Sequence, residues 1–266
     1  MHTELAWTDR RVSVALHDVA EQQPLIHCLT NIVVAQFTAN VLLAVGASPA
    51  MVENAVESGP FAAVAAAVLV NLGTLSAERE VAMRSAAAAA HEHGRPWVFD
   101  PVAVGALAHR TAFAGELLEV CPTVVRGNAS EVMSLAGSGV AGRGVDSLAD
   151  SEEAIAAAAV LARSRGCVVA VSGAVDYVTD GSDVVEVRGG SPLLTRITGT
   201  GCALGALVAA FVAVEDDVLF ATAAASAVFK AAGERAASGD PGTGTFAVGL
   251  VDQLDALASA AARLPA

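Results

Sequence analysis

The stretch TRITGTGCALGALVAAF, residues 195–211, sets Gly199 and Gly201 just before Cys202 and then runs into an apolar helical pattern. Glycines placed this way serve a phosphate-cradling loop, a dinucleotide fingerprint or a plain tight turn. The fingerprint G-x-G-x-x-G follows the first strand and needs its third glycine three residues after the second. Here residue 204 is Leu, Gly205 comes one residue late, the stretch lies far along the chain and no clean strand leads into it. The loop G-x-x-x-x-G-K-[ST] is excluded because the single lysine, Lys230, lies elsewhere. What remains is a glycine turn offering backbone N–H groups at a helix N-terminus, where geometry and dipole favour an anion. Cys202 then falls at about the first helical position, where the same field favours thiolate. A tight turn followed by a small structural cysteine stays open as the plainer reading.

Other candidates end apolar runs. Asp100 closes WVFD before Pro101, and Arg126 closes TVVR before Gly127, so both fall at the C-terminal edge of a sheet, where α/β folds bind ligands. Arginine there pairs with a nucleotide phosphate. Glu131 follows Asn128 at capping-box spacing, which competes with a ligand role. Asp100 and Glu131 could also share a magnesium ion through waters, as in phosphoryl-transfer sites. Near the start, HCLTNIVVAQFTANVLLAVGASPAMV reads as a strand, a polar turn at Thr30 and Asn31, a helix closed by Gly46, and then Met51. Asn31 is a natural N-cap and Met51 a core filler, yet together they could line a pocket for a small apolar heterocycle.

Positioning these groups falls to alternating elements. The runs at 67–72, 97–100, 123–127 and 167–172 are apolar and rich in β-formers, and they alternate with Ala-rich helical stretches, the pattern of a buried, largely parallel sheet covered by helices. Gly94 with Pro96, and Gly166, close two of the helices; Asp150 and Glu153 suggest a capping box for the second. Residues 177–188 read as an antiparallel hairpin at a sheet edge around Asp180 and Gly181, and everything after Gly201 reads as helix. The only long glycine-rich loop is 138–147, and no linker divides the chain, so residues 1–266 read as a single domain.

The balance of charge narrows the partners. A net charge of −13 leaves no basic stripe for nucleic acid or an anionic membrane. A nucleotide would have to be met locally by an arginine, a metal and helix N-termini. The four cysteines lack metal or disulfide spacing, which suits a reducing cytoplasm. The longest apolar run, 203–214, is too short to span a bilayer. With 54% hydrophobic residues but 4% aromatic, the chain is expected to bury some surface between subunits.

In order along the chain, PLIHCLTNIVVAQFTANVLLAVGASPAMV, NLGTL, VFDPVAVGA, VVRGNASEV, GVDS, SGAVDYVTDG, ITGTGCALGAL and GTGTFAVGLVDQL resemble the hydroxyethylthiazole kinase family of the ribokinase-like superfamily. The resemblance implies a three-layer α/β fold, with a mostly parallel central sheet flanked by helices. It implies ATP- and Mg2+-dependent phosphorylation of the primary alcohol of 4-methyl-5-(2-hydroxyethyl)thiazole in thiamine salvage, by a homotrimer with the thiazole pocket between subunits. By position it assigns Arg126 and Ser172 to the nucleotide, Met51 and Gly199 to the substrate, Asp100 and Glu131 to the metal, and Cys202 to the place of the aspartate base of other ribokinase relatives. The chain departs from the family pattern at Cys28, Ala103, Leu107 and Ala174, and keeps a hydroxyl at Ser172 where the pattern has threonine. A kinase for another small alcohol, of hydroxymethylpyrimidine or vitamin B6 type, and a noncatalytic thiazole-binding trimer are the alternatives.

Overall fold

A computed structural model describes residues 1–137 and 148–263, with backbone alone at 148–152; the glycine-rich stretch 138–147 lies outside the described residues. The elements run β1 (His2–Glu4), α1 (Arg10–Gln22), β2 (Leu25–Leu29), α2 (Ala35–Ala44), β3 (Ser48–Ala50), α3 (Ser58–Val64), β4 (Ala67–Asn71), α4 (Ala77–Glu92), β5 (Trp97–Asp100), α5 (Ala108–Leu118), β6 (Val124–Asn128), α6 (Ala129–Leu135), α7 (Leu148–Arg165), β7 (Val168–Ser172), β8 (Asp176–Thr179), β9 (Val184–Val187), α8 (Thr200–Val212), α9 (Val218–Ala236) and α10 (Thr243–Ala261). Short 3₁₀ turns at Ile32–Val34 and Pro192–Arg196 lead into α2 and toward α8.

The strands form one sheet in the order β1-β9-β8-β7-β6-β5-β4-β2-β3. From β3 to β7 all pairs are parallel, and the β8–β9 hairpin adds on antiparallel. This hairpin is not the sheet edge, because β1 pairs parallel with β9 outside it. A three-residue polar strand carries no periodicity, so nothing in the sequence marks it. Two further expectations shift. Helix α7 starts at Leu148, which places Asp150 inside its first turn rather than before it. Helix α8 starts at Thr200, with Gly199 as N-cap, so Cys202 is its third residue.

Side chains along each strand alternate between two cores. Ala67, Leu69, Val98, Val124, Val168 and Ala170 face α1, α2, α8, α9 and α10, whereas Val68, Val70, Trp97, Phe99, Val125 and Val169 face α3 to α7. The result is three layers with both sheet faces covered, which explains why the strands read as continuous apolar runs. Helix α8 is the extreme case. Every residue from 202 to 212 is buried, as it packs on β4 and β5 and against α2 and α9. A helix apolar on all sides is stable only inside such a sandwich.

Candidate active site

The alternation that builds the α8-facing core also aims its last members. Asn71, Asp100, Arg126 and Ser172 continue the Leu69, Val98, Val124 and Ala170 series by two residues, so all four leave the C-terminal ends of adjacent strands toward α8. The β4–β5 register pairs Asn71 with Asp100, and Asn71 Nδ2 donates to Asp100 Oδ2 at 2.7 Å. Asn71 Oδ1 accepts from the Gly73 N–H at 2.9 Å, which fixes the orientation of the amide. Arg126 donates through Nε and Nη2 to Ser172 Oγ, at 3.1 and 2.7 Å, and its Nη1 stands 3.7 Å from Asp100 Oδ2. Since Oγ accepts both bonds, the Ser172 hydroxyl proton stays available to a ligand.

The head of α8 closes on this row. Gly199 adopts φ +88°, and a Cβ there would lie 2.5 Å from Val34, so the position requires glycine both for its backbone and for the close approach. A Cβ on Gly201 would lie 2.9 Å from Arg126 Nη1, which shows how closely the guanidinium lies against the turn. Arg126 and Gly201 line a cavity of about 530 Å³ together with Ser172, Ala174, Leu194 and Phe229. That volume lies within the range of small-molecule sites.

Burial dominates the electrostatics. It pushes the Asp100 carboxyl up to about 7, with Glu131 adding to the rise and Arg126 and the Asn71 hydrogen bond opposing it. Cys202 is also pushed up, to about 11, by burial first and by neighbouring Asp100 second. Desolvation and the adjacent carboxylate thus outweigh the helix field that favours thiolate, and they hold Cys202 as a thiol at neutral pH.

Glu131 realises its capping role. Its Oε2 accepts from the Asn128 N–H and Asn128 Oδ1 accepts from the Glu131 N–H, both at 2.9 Å. Its Oε1 accepts from the Ala103 N–H, also at 2.9 Å, and Ala103 holds φ +64° to make that contact. Among the described residues no group of three or more His, Cys, Asp or Glu side chains forms a metal cage. A pair of carboxylates with spare lone pairs fits magnesium, which keeps its waters and completes its shell on substrate phosphates.

A second set of residues lies at the switch point of the sheet, between β2 and β4, where ligands collect in α/β folds. Asn31 caps the 3₁₀ turn through the Val33 N–H, and its Oδ1 also accepts from Thr74 Oγ1 at 2.6 Å. The same turn carries Val34, which packs on Gly199, so Asn31 and Gly199 are brought to one rim. Half-buried Met51 follows β3 one strand further out. The adjoining Val52 carbonyl accepts from buried His27 Nε2 at 2.7 Å. Ile32, Val33 and Val56, near this rim in sequence, are 60%, 70% and 81% exposed.

Sequence reasoning missed Asn71, Lys230 and Asp176 as parts of this region. Asn71 interrupts the apolar run 67–72 one residue before its end, and it closes β4 as Asp100 closes β5; a polar residue at that point was its signal. Lys230 was marked only as the chain's single lysine.

Three layers around a mostly parallel sheet, with a glycine turn and a helix head facing the strand ends, define a ribokinase-like protein. A ribokinase-like superfamily protein from Enterococcus faecalis shares this fold, with a TM-score of 0.67 at 12% identity, over 96% of each chain. The model of the hydroxyethylthiazole kinase family matches residues 16–260, and the chain belongs to that family. It is similar to a hydroxyethylthiazole kinase from Leptospira interrogans, 49% identical over 96% of this chain and 97% of the relative. It is also similar to the solved hydroxyethylthiazole kinase of Pyrococcus horikoshii OT3, with 40% identity and a TM-score of 0.86 over 93% of each chain.

Proposed function

We propose that the chain transfers the γ-phosphoryl group of ATP to the primary alcohol of 4-methyl-5-(2-hydroxyethyl)thiazole. The observation that carries this reading is the α8 head, set between the Arg126–Ser172 cavity on one side and the Asn31–Gly199 rim on the other. ATP occupies the cavity, with Arg126 pairing a phosphate and Ser172 donating its free hydroxyl proton. The N–H groups at the start of α8 receive charge that develops on the transferring group. The alcohol approaches from the rim, with Asn31, Gly199 and Met51 around the thiazole.

Asp100 and Glu131 are the residues that would hold Mg2+, and the ion would offset phosphate charge. Cys202 lies at the junction and assists departure of the alcohol proton. As a neutral thiol it does not itself take that proton: its sulfur accepts a hydrogen bond from the alcohol, and the proton passes late to an oxygen of the transferred phosphoryl group, which suffices because phosphoryl transfer is loose and demands little activation of the nucleophile. The exposed Ile32 and Val33 next to Asn31 on the acceptor rim, with exposed Val56 near it in sequence, support a homotrimer in which a neighbouring subunit covers the thiazole. The sheet that runs through the described chain supports one kinase domain over 1–266. Four unpaired cysteines suit a cytoplasmic setting, and among the described residues no helix is long and apolar enough to cross a membrane.

Family membership favours this alcohol over the hydroxymethylpyrimidine or vitamin B6 type and over a noncatalytic binder. The test is mass-spectrometric detection of the thiazole phosphate after incubation with ATP and Mg2+. Folded protein that forms no product refutes the reading.

A further inference from the structure

Lys230 stands inside α9, among residues buried from Phe220 to Gly233, and its side chain is 7% exposed. A buried ammonium is costly unless its protons are all engaged. Here Nζ donates to the Gly173 and Ala174 carbonyls, each at 3.1 Å, and to the Gly189 carbonyl at 3.5 Å, while Asp176 Oδ1 lies 3.2 Å away. Asp176 Oδ1 also accepts from the Gly173 N–H at 2.9 Å, so the ion pair grips both sides of one peptide turn.

These contacts tie together two segments separated by the β8–β9 hairpin, both of which line the same cavity. One is the β7–β8 turn directly after Ser172; the other is the chain leaving β9 at Gly189 and Gly190. Gly189 and Gly190 adopt φ +96° and +89°, and a Cβ on Gly190 would lie 3.3 Å from Lys230 Cγ, so the second wall folds over the lysine stem. With its three protons facing four protein oxygens, Lys230 has none left for a phosphate.

We propose that Lys230 is a positioning residue for the nucleotide: together with Asp176 it fixes the separation of the two backbone walls of the cavity without touching the reacting atoms. The proposal rests on the reading of this cavity as the ATP site. A residue with that role sets how tightly ATP binds and leaves the acceptor side unaffected, a pattern that a general loss of structure does not produce.

The test uses Lys230→Met and the double variant Lys230→Met/Asp176→Asn, which removes the pair without leaving a buried charge and carries the test where the single variant fails to fold. Steady-state kinetics are measured against ATP and against the thiazole alcohol, with ADP binding by calorimetry on the same proteins and on Arg126→Ala. The expected result is a KM for ATP raised about tenfold, with kcat and the KM for the alcohol within about twofold of the parent. A folded double variant with unchanged KM for ATP, or with both KM values raised alike, overturns the proposal. If Arg126→Ala weakens ADP binding and the double variant does not, the Lys230 assignment fails and the cavity reading stands. If Arg126→Ala leaves ADP binding intact, both fail.

Discussion

Replacing Ala103 by glycine should stabilise the protein, although most substitutions do the reverse. Ala103 is one of few non-glycine residues with positive φ, and its N–H points at Glu131 Oε1. An L-residue in the left-handed region carries a steric cost of about 1–2 kcal/mol, which glycine avoids. Glycine also loses more freedom on folding, by about 0.4–1 kcal/mol. The difference favours Ala103→Gly by about 0.5–1 kcal/mol, or a rise in Tm of about 1–4 °C for a domain of this size. Ala103→Val should lose at least about 1 kcal/mol, because a β-branched side chain tolerates this backbone least. Scanning calorimetry and urea titration of the three proteins measure both effects. A glycine variant less stable than the parent, with an unchanged urea m-value, would refute the claim that the Glu131 contact is held at the expense of backbone strain.

Cys202→Ser should lower kcat by about tenfold or more while ADP affinity holds, as expected of a group assisting proton transfer; full kcat with chemistry rate-limiting removes that role. His27 is buried, and burial holds its imidazole below its ordinary value, so the folded state keeps it neutral. Its contribution to stability is therefore complete above about pH 6.5 and is lost as pH falls from there toward the lowered folded value, because the unfolded chain takes up a proton that the folded one refuses. Between pH 7.5 and 5 the parent Tm should fall more steeply than that of His27→Gln, and parallel slopes would contradict the assignment. Val33→Asp places a charge on the 70% exposed apolar rim. It should convert a sedimenting trimer to monomer and raise the KM for the alcohol, whereas a parent that already sediments as a monomer overturns the trimer.

Legibility of the site followed the strands. Asp100 and Arg126 could be placed because each ends an apolar run, and a parallel sheet brings such ends to one edge. Asn71 has the same placement in the sheet, but an amide between Val70 and Leu72, inside an apolar run, draws less notice than a carboxylate before proline. Glu131 was read as cap or ligand, and the structure shows the cap while leaving lone pairs for waters. The protonation of Cys202 is not legible, because sequence shows a helix N-terminus but not how deeply it is buried. Lys230 was hidden by the alanines around it, since no local pattern reveals that loops near residues 173 and 189 meet at its ammonium. The β1 strand was invisible for a related reason: three polar residues form a strand only because β9 offers them an open edge.

The burial of α8 has a consequence in the time domain. Its later turns sit between sheet and helices, so their amide protons should exchange with solvent only when the whole domain opens. The backbone N–H groups at its head are thus attached to the slowest-breathing part of the molecule. Whatever motion admits and releases ligand must come from the other walls, above all the glycine-bearing crossing at 189–190, and a deuterium-exchange map should divide this pocket into one slow side and one fast side.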